Sequence, residues 1–215
     1  MFLRYKFGYL AIFLSLFSKS YLFANTCDVA ASSASFHKNV PSSILRGITR
    51  LETGRTQNGK LEPWPWTIND RGKGYWFPDK ISAVNHAKSL ISQNVRSFDI
   101  GCFQINYRWH GEHFNSVEDM FNPTTNAAYA ATFLNQLFHE KGDWDHAIAA
   151  YHSRTPKYAN RYLAKFHRIH SRFEPESTQF ASLGSPKQQS NLRPKLGSLV
   201  PLETKQNTPL IQGLN

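Results

Sequence analysis

Long hydrophobic runs are scarce in this sequence of 215 residues. The longest run, residues 7–17, is about half as long as the roughly 20 residues that a membrane-spanning helix needs. The sequence therefore predicts no transmembrane segment in the mature protein. Charged residues make up only 19% and aromatic residues 14%. This composition excludes disorder throughout the chain and suits one globular domain.

Acidic residues are also few, 15 against 25 Lys and Arg. Within residues 25–170 the imbalance is smaller, 17 against 12, which gives a net charge of +5. A net charge of this size most often comes from basic residues on a solvated surface. Because the sequence also contains no recognised nucleic-acid-binding motif, we expect no nucleic acid as partner. Residues 171–215 are rich in Ser, Gln, Pro and Asn without an apolar period, which predicts a disordered tail.

The first 24 residues have the pattern of a secretory signal peptide. Arg4 and Lys6 precede the apolar run, and Ala24 is a small residue at the expected cleavage point. We therefore expect residues 1–24 to be removed and the protein to reach the periplasm or to be secreted. A lipid anchor on Cys27 is disfavoured, because the residues before it lack the pattern that precedes a lipidated cysteine.

Cysteine occurs only twice, at Cys27 and Cys102. In an exported protein a lone pair of cysteines more often forms a structural disulfide than a redox or metal site. Only one internal bridge is available. In the chain-entropy model a loop of this length would stabilise the fold by about 4 to 5 kcal/mol.

Apolar residues at helical spacing, with capping residues at their ends, predict five helices in the middle of the chain. Their starts are marked by Pro41, Asp79, Asn122, Asp143 and Pro156, and Ser116 marks a shorter helical fragment. Between the first two helices, aromatic residues in 64–77 flank a turn-forming segment, which predicts a small β-hairpin. The expected fold is mainly α.

Glu52 lies beside the apolar stripe of the first predicted helix, four residues after Ile48 and seven after Leu45. Burial would raise the pKa of this carboxyl, as a general acid requires near neutral pH. A glutamate at a helix end could instead turn to solvent or pair with Arg50 or Arg55. The spacing alone leaves both interpretations open.

Three motifs follow one another along the chain. They are Glu52-Thr53-Gly54, then the segment 99–106 with Gly101-Cys102-Phe103-Gln104-Ile105, then Ala150-Tyr151-His152. In this order they resemble the Glu-Ser-Gly, Gly-Leu-Met-Gln-Ile and Ala-Tyr-Asn motifs of the soluble lytic transglycosylase (SLT) domain, a relative of goose-type lysozyme. The resemblance covers residues 27–170 and implies a lysozyme-like helical domain.

Residues 64–77 and 107–110 are similar to one subgroup of this family, found among periplasmic proteins and with secretion or conjugation machinery. In that subgroup a cysteine at the position of Cys102 pairs with one near the mature N-terminus. The resemblance therefore also implies a bridge from Cys27 to Cys102. Components of a secretion or conjugation apparatus are expected partners.

By this resemblance the substrate is peptidoglycan, cut between N-acetylmuramic acid and N-acetylglucosamine. Glu52 would act as acid and then as base, the sugar's acetamido group would stabilise the anomeric carbon, and a 1,6-anhydro ring would form without cofactor or metal. Tyr151 matches the family's tyrosine that hydrogen-bonds the catalytic carboxylate, and Gln104 matches a glutamine that lines the sugar groove. Residues Thr53, Asn106 and His152 complete the predicted substrate contacts, with Thr53 replacing Ser and His152 replacing Asn.

Several other interpretations remain open. Asp99 could be the second carboxylate of a classical glycosidase, which would make the protein a hydrolytic muramidase. A cysteine peptidase would use Cys102, but a disulfide would abolish that nucleophile. His110 and His113 lie three residues apart, yet without a third ligand they favour a core or surface role over zinc.

Aromatic residues near the predicted hairpin could stack on sugar rings or form a satellite core, and the sequence favours neither interpretation over the other. They are Trp64, Trp66, Tyr75, Trp76 and Trp109. The main non-enzymatic alternative is a peptidoglycan-binding or assembly subunit of a secretion system that lacks strong catalysis.

Overall fold

Helices dominate the part of the chain that the computed structural model describes, residues 18–173. Eight α-helices lie within these residues, together with a short 3-10 turn at Gly111–His113. They are α1 (Ser18–Lys38), α2 (Ser42–Thr53), α3 (Lys80–Ser92), α4 (Tyr107–His110), α5 (Val117–Met120), α6 (Pro123–Lys141), α7 (Trp144–His152) and α8 (Pro156–Phe173). The expectation of a mainly α fold is confirmed.

The predicted capping residues begin several of these helices. The side chains of Asp79, Ser116, Asn122 and Asp143 each accept a hydrogen bond from a backbone N–H in the first turn that follows. Gly142, at φ 86°, ends α6 in the left-handed conformation that glycine adopts readily. The five predicted helices correspond to α2, α3, α6, α7 and α8, and the predicted fragment corresponds to α5.

Helix α1 was not among the expected helices, because its buried face consists of small residues. Cys27, Ala30, Ala31 and Ala34 are all buried, and α1 packs closely on α6 and α2. Large apolar residues give the clearest helical signal in a sequence, and the part of this face whose side chains are described, within residues 26–38, has none of them. The helix begins at Ser18, inside the predicted signal peptide, whose residues 1–17 lie outside the described residues.

Six short strands within residues 18–173 form two antiparallel sheets. One sheet pairs β1 (Arg55–Gln57) with β2 (Lys60–Glu62), and the other consists of β3 (Thr67–Asp70), β4 (Lys73–Trp76), β5 (Phe98–Ile100) and β6 (Ile105–Asn106) in the order β4-β3-β5-β6. The β3-β4 hairpin is the predicted one. The other strands have two or three residues each, too few to show an alternating pattern in the sequence.

The elements that surround α2 bring distant parts of the chain together. Helix α2 packs on α1 and α8, α8 packs on α7, and α7 packs on α6. The disulfide Cys27–Cys102 joins α1 to the loop between β5 and β6. The buried Arg50 on α2 also makes two hydrogen bonds, of 2.7 and 2.8 Å, to the carboxylate of Asp28 on α1.

None of the helices within residues 18–173 has the length and apolar character needed to cross a membrane. Helix α8 continues to Phe173, slightly past the predicted domain end at residue 170. The rest of the predicted tail, from residue 174 onward, lies outside the described residues.

Candidate active site

Glu52 lies in the last turn of α2, where the helix stops at Gly54. A Cβ atom at Gly54 would clash with the carbonyl oxygen of Arg50, so only glycine fits where the chain leaves the helix. Glu52 as a whole residue is half-buried, but the Oε2 atom of its carboxyl is buried. The ion-pair alternative does not apply to Arg50, which pairs with Asp28.

A tyrosine from α8 holds the carboxyl of Glu52. The hydroxyl of Tyr162 donates a hydrogen bond of 2.6 Å to Oε1 of Glu52. The ring of His152, at the end of α7, stacks in parallel on the ring of Tyr162 with 4.6 Å between centroids. Two helices thereby fix the orientation of the carboxyl.

Tyr151 does not make the hydrogen bond that the resemblance implied. Its fully buried hydroxyl donates to the carbonyl oxygen of Phe103 at 2.8 Å. In this structure Tyr151 therefore does not donate to the carboxyl, because its single hydroxyl proton bonds Phe103, and its contact with substrate stays a prediction. Tyr162 donates to the carboxyl instead.

Burial raises the pKa of Glu52 to about 8, since the charged form loses its hydration. The hydrogen bond from Tyr162 lowers the pKa, and the negative charge of Asp99 raises it. The second oxygen, Oε2, is buried without a hydrogen-bond partner among the described residues, which further disfavours ionisation. Glu52 is thus protonated at neutral pH.

Asp99 on β5 is the second carboxyl of the site. Its Oδ1 accepts a hydrogen bond of 2.8 Å from the side-chain amide of Asn106 on the paired strand β6. Burial raises the pKa of Asp99 to about 7, and the amide of Asn106 lowers it. The negative charge of Asp99 disfavours the ionised form of Glu52.

The loop between β5 and β6 is held by buried hydrogen bonds. Gln104, at φ 48°, is buried, and its side-chain amide donates to the carbonyl oxygens of Gly101 at 2.9 Å and Thr67 at 3.3 Å. Asn126 on α6 accepts a hydrogen bond from the backbone N–H of Phe103. Gln104 therefore braces the loop that carries it, and its contact with sugar stays a prediction.

The remaining predicted substrate contacts also have structural partners. The buried hydroxyl of Thr53 donates to the carbonyl oxygen of Thr49 and accepts from the backbone N–H of Trp64. Asn106 binds Asp99 and caps α4. Burial lowers the pKa of His152 to about 4, so its ring is neutral at pH 7. These side chains shape the surroundings of Glu52, and their binding of substrate stays a prediction.

Sequence reasoning missed Tyr162 and Asn126. Tyr162 lies on the apolar face of α8, where its position alone indicates a core residue, although a buried tyrosine hydroxyl needs a partner. Asn126 is a fully buried amide among apolar residues of α6. A polar group at a core position is the signal that could have identified both residues.

The aromatic residues near the hairpin divide into two classes. Trp64 and Trp66 are buried in the core, whereas Trp76 and Trp109 keep 46% and 38% of their surface exposed. Tyr75 is half-buried and packs against Phe77. The core interpretation therefore applies to the first two tryptophans only.

His110 lies in the core rather than with a group of ligands. Its ring is buried, and Nδ1 is 2.7 Å from the hydroxyl of Tyr129. Within residues 18–173 no group of three or more candidate metal ligands occurs.

The comparisons with known proteins give a match over part of the chain. Residues 79–170 match the family model described as the transglycosylase SLT domain, whereas no curated protein and no solved structure matches the chain. The matched segment contains Asp99, Tyr151 and Tyr162 but begins after Glu52. Over residues 79–170 the chain is therefore similar to the transglycosylase SLT domain family, which supports the resemblance that the motifs indicated.

Proposed function

We propose that this protein is a lytic transglycosylase that cleaves the β-1,4 bond between N-acetylmuramic acid and N-acetylglucosamine in peptidoglycan and leaves 1,6-anhydro-muramyl ends. The SLT domain points to lytic transglycosylase activity on peptidoglycan. The observation that carries the finer proposal is the buried carboxyl of Glu52, which Tyr162 holds and which burial keeps protonated at pH 7.

In the first step Glu52 acts as the general acid. Oε1 accepts the hydrogen bond from Tyr162, so the acidic proton resides on Oε2. This proton passes to the bridging oxygen, the bond to the anomeric carbon breaks, and the acetamido group of the muramyl sugar stabilises the positive charge. Tyr162 then stabilises the carboxylate that forms, because a hydrogen bond favours the charged form.

In the second step Glu52 acts as the general base. The ionised carboxylate accepts the proton of the muramyl 6-hydroxyl while the oxygen of that hydroxyl attacks the anomeric carbon. The 1,6-anhydro ring closes, and Glu52 is protonated again for the next cycle. No cofactor and no second carboxylate takes part in this scheme.

Asp99 favours a second candidate function, that of a hydrolytic muramidase. Its charge acts on Glu52, and its pKa of about 7 leaves a substantial fraction ionised at neutral pH. An ionised Asp99 could take a proton from water, which would attack in place of the 6-hydroxyl. The product would then have a reducing end.

Mass spectrometry of digested sacculi distinguishes the two reactions. Purified sacculi are incubated with the protein, and the released muropeptides are analysed in ordinary and ¹⁸O-labelled water. Anhydro ends, lighter by one water and free of label, support the transglycosylase. Labelled reducing ends support the muramidase. If no muropeptide is released while sacculi still bind the protein, the alternative of a non-catalytic binding or assembly subunit is correct.

We further propose that the protein acts in the periplasm or after secretion, where it opens the wall locally for a secretion or conjugation apparatus. The disulfide Cys27–Cys102 supports an oxidising compartment. The signal-peptide pattern of residues 1–24 supports export. Fractionation of cells that express the full chain tests this, with the protein expected in the periplasm or medium and lacking residues 1–24.

A further inference from the structure

We propose that Trp76 forms a sugar-binding platform beside Glu52, on which a pyranose ring of the glycan strand stacks. This inference deepens the function proposed for Glu52 and rests on it for the identity of the ligand. Trp76 lies on β4, in the hairpin that precedes the segment matched by the family model.

The edge of the Trp76 ring is fixed next to Glu52. Its Nε1–H donates a hydrogen bond of 3.1 Å to the carbonyl oxygen of Thr53, the residue that follows Glu52. This carbonyl is in the last turn of α2, where backbone carbonyls have no partner within the helix. The tryptophan therefore completes the end of the helix that carries the proposed acid, and its position is tied to that of Glu52.

Gly74 lies against the six-membered ring of Trp76. A Cβ atom at Gly74 would lie 2.9 Å from Cη2 and 3.0 Å from Cζ3 of Trp76, so the ring lies against a backbone that only glycine leaves free. Even so, 46% of Trp76 remains exposed. A ring that a hydrogen bond and a backbone contact hold in place, and that is still exposed over nearly half of its surface, can receive a ligand without having to be ordered upon binding.

The chemistry of this surface fits a pyranose ring. A β-linked N-acetylhexosamine has C–H groups on its ring faces and polar groups around its rim, and a tryptophan face offers a flat apolar surface of matching size. The neighbouring Trp64 and Trp66 are buried, so exposure is specific to Trp76 and not general to tryptophans of this hairpin. Its attachment to Thr53 places the stacked sugar close to the proposed acid.

The binding test uses the full chain with the Glu52→Gln substitution, which prevents turnover, and a β-1,4-linked N-acetylglucosamine hexamer. Calorimetry gives the Kd for this protein and for versions that also carry Trp76→Ala, Trp76→Phe or Phe36→Ala. Phe36, on α1, is 81% exposed and serves as the matched control for loss of an exposed aromatic ring. We expect Trp76→Ala to raise Kd about tenfold, Trp76→Phe to raise it less, and Phe36→Ala to leave it unchanged.

Gly74→Ala provides a second variant that retains the tryptophan. The added methyl group must displace the Trp76 ring, so we expect a weaker affinity with the indole still present. Circular dichroism of each variant checks that the fold is retained. Equal Kd values for Trp76→Ala and Phe36→Ala, or no measurable binding of the hexamer by the Glu52→Gln protein, would overturn the platform.

The two proposals fail in different ways. If Glu52→Gln still cleaves sacculi while Trp76→Ala weakens binding, Glu52 is not the acid and the platform stands. If Glu52→Gln is inactive and Trp76→Ala binds the hexamer as tightly as its parent, the platform is wrong and the function of Glu52 stands.

Discussion

The part of the chain before residue 79 and the segment 79–170 contribute different components of the candidate site. The first part supplies Glu52 and the exposed Trp76. The second supplies Tyr162, which bonds Glu52, and Asp99, whose charge acts on it. The family model matches only the second part. The match to the segment that contains Tyr162 and Asp99 thus supports the SLT resemblance, while the proposed acid has to be found from its contacts.

The two parts also differ in how they are held in place. Several helices of the matched segment begin with side-chain caps, such as Asp79 and Asn122. The earlier part depends on long-range links, namely the disulfide Cys27–Cys102 and the buried pair of Arg50 with Asp28. If the site works as proposed, substitutions in the part before residue 79 should abolish cleavage or break the links that hold this part in place. Substitutions in residues 79–170 should instead shift the pKa of Glu52.

The largest expected effect is that of Glu52→Gln, which keeps the shape of the side chain but cannot deliver a proton. General acid-base catalysis contributes about 10² to 10⁴-fold, and loss of the sole acid should reduce muropeptide release from sacculi by at least that range. The variant should fold normally and still bind glycan.

Glu62→Gln is the matched control for this substitution. Glu62 is a half-buried carboxylate of the same region, on β2, and lies 3.7 Å from Arg50. We expect this variant to retain activity. If Glu52→Gln and Glu62→Gln release muropeptides at similar rates, the division of roles between the two parts of the chain is wrong.

The predictability of the fold follows the same division. Caps and large apolar residues predict α3, α6, α7 and α8, because local signals determine where these helices begin. Helix α1 buries alanines against α6, which becomes favourable only after the two helices meet. The short strands β5 and β6 likewise depend on pairing partners distant in sequence.

A site residue could be predicted from the sequence where its position on its own helix indicates its environment. Glu52 beside an apolar stripe indicates a buried acid, and the structure buries its carboxyl. The choice between Tyr151 and Tyr162 could not be made this way, since both lie on apolar helix faces. Only the packing of α8 on α2 decides which hydroxyl reaches the carboxyl.

The second largest effect is expected from loss of the disulfide. The double variant Cys27→Ser, Cys102→Ser should lower the free energy of unfolding by about 4 to 5 kcal/mol at most, because the unfolded chain regains loop entropy. Denaturant titration measures this, and reduction of the wild type is the matching control. Activity should also fall, since Cys102 anchors the loop that carries Gln104. Two titratable thiols per unreduced chain would refute the bridge.

A pair of tyrosine variants separates the group that tunes the acid from the group that supports the loop. Tyr162→Phe removes a hydrogen bond that lowers the pKa of Glu52, so the alkaline limb of the pH–activity profile should move to higher pH. Tyr151→Phe leaves the buried carbonyl of Phe103 without this donor and should cost about 1 to 3 kcal/mol of stability without moving that limb.

The two profiles are compared with that of the wild type over the same pH range, together with unfolding curves. A shifted limb in Tyr151→Phe and an unchanged one in Tyr162→Phe would return Tyr151 to the role first predicted for it.

The last expected effect, which requires no measurement of cleavage, is in the pH dependence of stability. Glu52 has a pKa of about 8 when folded against 4.5 as its ordinary value. Between these pH values the unfolded chain releases the proton and the folded protein keeps it, so the wild type loses stability as pH rises from about 4.5 to about 8. Glu52→Gln lacks this loss. The free energy of unfolding of Glu52→Gln, measured relative to that of the wild type, should therefore rise by more than about 1 kcal/mol from pH 5 to pH 8.

Denaturant titrations at several pH values measure this difference, with Glu62→Gln as control. Asp99 is present in every protein compared, so its own titration affects all the curves in the same direction. Parallel curves for the wild type and Glu52→Gln would mean that Glu52 titrates alike in the folded and unfolded chain. The carboxyl would then be ionised at neutral pH, and a group that has already lost its proton cannot begin the reaction as its acid.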